Sequence, residues 1–232
     1  MANKVAPPTV SRKFPEAPAL KVYAERTGLA LWAWNRLHHE LNLIFWFSLG
    51  KHQRHGLAFA LWHATNTDAS QRNMLSEVVK WNLAMQPNLA KRLKWLLSVV
   101  DKLGSYRNIA AHTAVALDAD GVAPEWGSNR EQARLRFSQI DHAQFWPLLT
   151  GDLFALGSYA HRIAEHLYHM NYSQTPPPAP LPRRPRVRSL PIVQSIESRL
   201  GQLVKEAARP PRRSTLRKWA GLKSPSRRAR PR

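Results

Sequence analysis

Arg107, Asn108 and His112 bring a fixed cation, an amide and an imidazole into the stretch Tyr106-Arg107-Asn108-Ile109-Ala110-Ala111-His112. An imidazole, with an ordinary pKa of about 6.5, can take or give a proton near neutral pH. A guanidinium can grip a phosphate in a two-pronged fork and stabilise charge developing on it. An amide beside them can orient the ring or hold a phosphate oxygen. RNA carries its own nucleophile, the 2′-hydroxyl. The set could therefore cleave RNA without a metal, leaving a 2′,3′-cyclic phosphate.

The elements that must position this set can be read from periodicity. Leu89, Leu93, Leu96, Val100 and Leu103 recur in steps of four and three, which predicts one face of a helix over 88–114. Arg107 is next on that face, where an unpaired charge would be costly if buried. Asn108 and His112 are four apart and share a face. Arg107 and His112 are about 140° apart around the helix. The bland alternative is that Arg107 pairs with a carboxylate such as Asp101 or Asp152 and that His112 merely ends a helix favourably.

Three further helices are predicted. Ala30, Trp34, Leu37, Leu41 and Ile44 mark one over 19–47, with Gly50 as its stop. Asp68 as N-cap, with Gln71 three residues on, opens another through Met85. Phe145, Leu149, Leu153, Leu156, Ala160, Ile163, Leu167 and Met170 mark the last, with Pro147 at its start. Residues 118–140 read as an ordered loop or short hairpin, and 57–62 as a short apolar piece of no assigned type. The expected fold is all-α, an up-and-down four-helix bundle.

The 232 residues suit a leader over 1–18, a helical domain over 19–172 and a C-terminal extension over 173–232. Formal net charge is +20, and the span from Pro176 to Arg232 holds 16 Lys/Arg against two Asp/Glu. Pro176-Pro177-Pro178-Ala179-Pro180 opens this Pro/Arg-rich tail, expected to be disordered apart from a short amphipathic helix near 190–207 on Ile192, Ile196, Leu200 and Leu203. Arg183, Arg184, Arg186, Arg188, Arg212, Arg213, Arg227, Arg228, Arg230 and Arg232 would contact nucleic-acid phosphates without reading sequence. No apolar run suits a membrane span. The absence of Cys fits a reducing compartment, and the expected location is cytoplasmic.

Arg-Asn-x-x-Ala-His on the third helix of such a bundle resembles the HEPN family, whose members carry Arg, four to six residues and then His. The specific likeness rests on the residues around Arg107, Asn108 and His112. It implies a metal-independent endoribonuclease with no cofactor, acting as a homodimer whose two motifs face one shared cleft. It also leaves room for an antitoxin or other regulatory partner. One toxin subgroup carries, two residues after the His, a Tyr that a nucleotidyltransferase modifies; here that position is Ala114, so that regulation is not expected.

Other clusters carry weaker chemistry. His161, Glu165, His166 and His169 have helical spacing suited to a metal pair, but read first as a solvated face. His38, His39 and Glu40 lack a fourth-position partner for a metal. Trp32, Trp34, Trp46, Trp81 and Trp95 read as core, since base stacking requires exposed rings. Two functions follow: a ribonuclease built on Arg107, Asn108 and His112, or a non-catalytic helical dimerisation module with a basic nucleic-acid-binding arm.

Overall fold

A computed structural model describes residues 18–50, 55–84, 86–112, 115–118, 121–124, 131–172 and 180–207. Among the described residues the fold is helical, with one two-stranded hairpin. Helix α1 (Pro18–Ser48) runs alongside α6 (His142–Tyr172), and this is the most extensive helix pairing among the described residues. Ala30, Trp34, Leu37, Leu41 and Ile44, the predicted stripe, are all buried. So are Phe145, Leu149, Leu153, Leu156, Ala160, Ile163 and Leu167 on α6. Gly50 follows α1 with φ +92°, a left-handed conformation that an L side chain rarely adopts.

Helices α2 (His55–Ala64), α3 (Asp68–Asn82) and α4 (Pro87–His112) follow, with α1 packed on all three and α3 packed on α4. The apolar piece around 57–62 is thus helical. The start of α3 differs by one residue from expectation. Thr67 is the N-cap, with φ −141° and ψ 147°, and its Oγ1 accepts the Ser70 N–H at 3.1 Å. Asp68 is therefore free for long-range contacts, and Gln71 reaches back to the Trp62 carbonyl instead of closing a capping box.

Strands β1 (Val115–Asp118) and β2 (Gly121–Pro124) pair antiparallel, and α5 (Glu131–Ser138) follows, so part of the predicted loop is helix. Asp141 Oδ1 accepts the N–H groups of Ala143 and Gln144 and caps α6. Pro147 lies inside α6, within its early turns.

The largest departure is C-terminal. A helix is found where one was expected, near 190–207, but residues 180–189, expected to be disordered, are placed too, and the whole span 180–207 packs against the domain. The physical reason is one buried acid. Asp152 of α6 accepts the Arg188 N–H at 3.0 Å, and the Ser189 N–H and Oγ–H each at 2.6 Å. Ser189 is fully buried and starts helix α7 (Leu190–Ala207). Val193, Ile196 and Leu200 then join the common apolar cluster, while Leu203 stays exposed. Arg136 of α5 grips Glu197 with two bonds, at 2.6 and 2.9 Å, and Tyr106 donates its hydroxyl to the same carboxylate. The Arg136 hydrogen bond holds the Glu197 carboxyl below its ordinary range. The remaining leader and tail positions, 1–17, 173–179 and 208–232, lie outside the described residues.

Asp152→Ala should strip three donors of their acceptor and destabilise the chain by about 4 kcal/mol or more, since each hydrogen bond to a charged group contributes roughly 1.5–3 kcal/mol. Urea unfolding monitored by circular dichroism measures it; a midpoint equal to that of the parent protein would contradict the role given to Asp152.

Candidate functional site

The C-terminal half of α4 borders a cleft of about 490 Å³ facing the start of α3. Arg107, Asn108 and His112 all line it, together with Trp34, Asp68, Arg72, Asp101 and Gly104. The three residues singled out from sequence thus share one open space. Arg107 is half-buried, while Asn108 and His112 are exposed.

Arg107 pairs with neither of the carboxylates suggested by sequence. It faces Asp68, Nη2 to Oδ2 at 3.6 Å, a distance beyond a hydrogen bond. Its Nη1 donates to Asn108 Oδ1 at 3.1 Å, and its Nε has no hydrogen-bond partner among the described residues. Asp68 Oδ2 is meanwhile held from below by the buried Trp34 indole, whose Nε1–H donates at 2.8 Å. Asp101, the other carboxylate of the cleft, is taken by Arg72 Nε at 2.6 Å. Asp152 is committed to the C-terminal segment, as above.

Arg72 and His38 are the residues that sequence reasoning did not bring to this site. Arg72 is almost wholly buried, yet it lines the cleft. Its guanidinium lies 5.6 Å from the centre of the Trp34 ring, and its Nη1 donates to His38 Nε2 at 3.3 Å. His38 stacks on Trp34 with centroids 4.9 Å apart. Gly104 lies over this pair: a methyl there would stand 3.4 Å from the Trp34 ring and 3.5 Å from Arg72 Nη2. Any larger side chain would fill the cleft floor. The only sequence signal for Arg72 is its position between Met74, Leu75 and the α3 start. Its partners lie 34 and 29 residues away, so periodicity could not reveal them.

Burial pushes the His38 imidazole down to about 4; the Asp68 carboxylate opposes this, and the Arg72 and Arg107 cations add to it. The ring is therefore neutral at pH 7 and can accept from Arg72. His38 is a support for the arginine beneath the cleft, not a second acid or base within it.

The remaining candidates lie elsewhere. Arg183, Arg184, Arg186 and Arg188 sit on the ordered segment before α7; Arg212, Arg213, Arg227, Arg228, Arg230 and Arg232 lie outside the described residues. His161 stands between Glu40, at 3.1 Å, and Glu165, at 3.4 Å. Among the described residues no three-residue group is arranged to hold a metal ion, and no helix is long and apolar enough to cross a membrane. Of the tryptophans expected in the core, Trp34 is buried and Trp46 and Trp95 are half-buried, but Trp32 and Trp81 are 55% and 72% exposed. The chain matches no known protein family, no curated protein and no solved structure.

Because the folded His38 binds its proton only at about pH 4 while an unfolded His does so near pH 6.5, its contribution to stability is complete above about pH 6.5 and is lost as pH falls toward 4. The loss is about 1.4 kcal/mol per pH unit within that window. Urea midpoints at pH 7 and pH 4.5 should therefore fall further apart in the parent protein than in His38→Gln; equal differences would refute the buried neutral ring.

Proposed function

We propose that this chain is a HEPN-like, metal-independent endoribonuclease that acts as a homodimer, with its long helices forming the family's four-helix bundle. The observation that carries the reading is that Arg107, Asn108 and His112 line one open cleft in which, among the described residues, the Arg107 guanidinium donates one hydrogen bond, to Asn108, and faces Asp68 at 3.6 Å. In this reading His112 moves the proton, as base toward the RNA 2′-hydroxyl or as acid toward the leaving 5′-oxygen. Arg107 holds the phosphate and offsets the charge that grows on it as the 2′-oxygen attacks. Asn108 fixes the guanidinium through its Oδ1 and leaves its amide N–H₂ for a phosphate oxygen. One protomer supplies one exposed imidazole, and a second copy would supply the other. The dimer also needs an apolar surface, and Leu29 and Trp32 are exposed one turn apart on α1.

A second reading, binding without cleavage, is favoured by Asp68. That carboxylate stands against Arg107 inside the cleft and competes with a phosphate for it. The two readings part on one variant. Purified protein incubated with a mixed RNA pool in EDTA should yield fragments ending in 2′,3′-cyclic phosphate. His112→Ala should lower the rate by about 100-fold or more while leaving the fold intact. No cleavage by folded parent protein would move the assignment to the binding module, and cleavage surviving in His112→Ala would refute the role of that imidazole.

A further inference from the structure

We propose that the other end of α4 is a docking groove for single-stranded RNA, separate from the Arg107 cleft. Two cavities of about 560 and 480 Å³ adjoin there, and Lys91 lines both. Arg92, Arg183 and Arg184 complete the first; Lys80 and Lys94 lie in the second. Among the described residues no carboxylate lines either cavity, and of the six cations only Lys80 has an acidic partner, Glu77 at 3.5 Å. A concave surface of one sign concentrates field and counter-ions.

Two of these cations, Arg92 and Arg184, are held in place. The segment before α7 brings Arg183 and Arg184 onto α4. Arg92 donates to the Pro182 carbonyl, Arg184 donates to the Lys91 carbonyl at 3.2 Å, and the Arg184 guanidinium lies 5.2 Å from the centre of the Trp95 ring. Asp152 anchors the segment a few residues on. The sequence splits this set into a helix and a distant tail, and folding joins them.

The occupant follows from what borders the cations. Lys80 places its ammonium 5.4 Å from the centre of the Trp81 ring, which is 72% exposed. A single-stranded nucleic acid alternates anionic phosphates with flat bases, and a basic groove edged by an exposed aromatic ring matches both. A membrane surface or an acidic peptide would use the charges but has no base for the indole. Lys91 and Arg107 are 16 residues apart on α4, which is about 24 Å along the helix. The groove therefore holds RNA at a distance from the cleft, and it does so whether or not His112 cleaves.

The test uses the full chain and a fluorescein-labelled 2′-O-methyl oligouridylate, which lacks the nucleophile, so binding is read independently of cleavage. Lys91→Ala/Lys94→Ala removes two exposed side chains. It should weaken binding and reduce the slope of log affinity against log salt by about 1.4, at roughly 0.7 per phosphate contact. Trp81→Ala should weaken binding about five-fold or more with an unchanged slope. The comparison variant Lys21→Ala/Lys205→Ala removes the same charge from exposed positions elsewhere and should change neither reading by as much. Thermal melts check that each variant is folded. Equal effects from the two lysine pairs, no binding by the parent protein, or a loss confined to phosphatidylserine vesicles or polyglutamate would each overturn the groove.

Discussion

The carboxylate of Asp68 joins three helices at the edge of the core. From the first turn of α3 it accepts the indole N–H of Trp34 on α1 and faces the guanidinium of Arg107 on α4. Without it a buried indole donor would lack an acceptor, and an arginine in line with an apolar stripe would lack its nearest counter-charge. The same group tunes the cleft. It attracts a proton to His38, while burial and two arginines repel one more strongly. It stands 3.6 Å from the Arg107 guanidinium, an ion pair without a hydrogen bond. One side chain therefore fixes where the cation stands and how firmly it is held.

A second acid plays the corresponding part at the C-terminal side. Asp152 is buried on α6 and turns a Pro/Arg-rich stretch, whose composition resists packing, into a fixed strap. Composition alone describes average solvation. It does not register a single buried acceptor that satisfies two backbone donors and a hydroxyl together. Once Ser189 is pinned, the apolar face of α7 has an assigned place, and Arg183 and Arg184 acquire neighbours from another part of the chain.

The helices on which both clefts stand were legible because their stripes are long. The α4 stripe from Leu89 to Leu103 and the α1 stripe from Ala30 to Ile44 are buried as periodicity requires. The Arg107, Asn108 and His112 set was legible because it is local, three residues within two turns. What could not be read is non-local. Arg72 reads as an ordinary polar residue of α3 until His38 and Asp101 are seen beside it. Thr67 and Asp68 are both good cap residues, and the choice between them is made by Trp34, far along the chain. Tryptophans look alike in sequence, yet Trp34 closes the core while Trp81 faces solvent, because only the packed structure distinguishes the inner from the outer side of each helix.

The strap has a consequence for the order in which this protein is made. Its partners, Lys91, Arg92, Arg136 and Asp152, lie roughly 35 to 95 residues upstream. Domains fold largely as units while the chain emerges from its N-terminal end. The pairing of α1 with α6 can form once Tyr172 has emerged, but the surface that receives Val193, Ile196 and Leu200 must wait for residues near 200. During that interval the faces of α4 and α5 on which α7 packs lack that cover, and such transient apolar surface invites association between nascent chains. The final quarter of the chain thus decides when the nascent domain ceases to be adhesive.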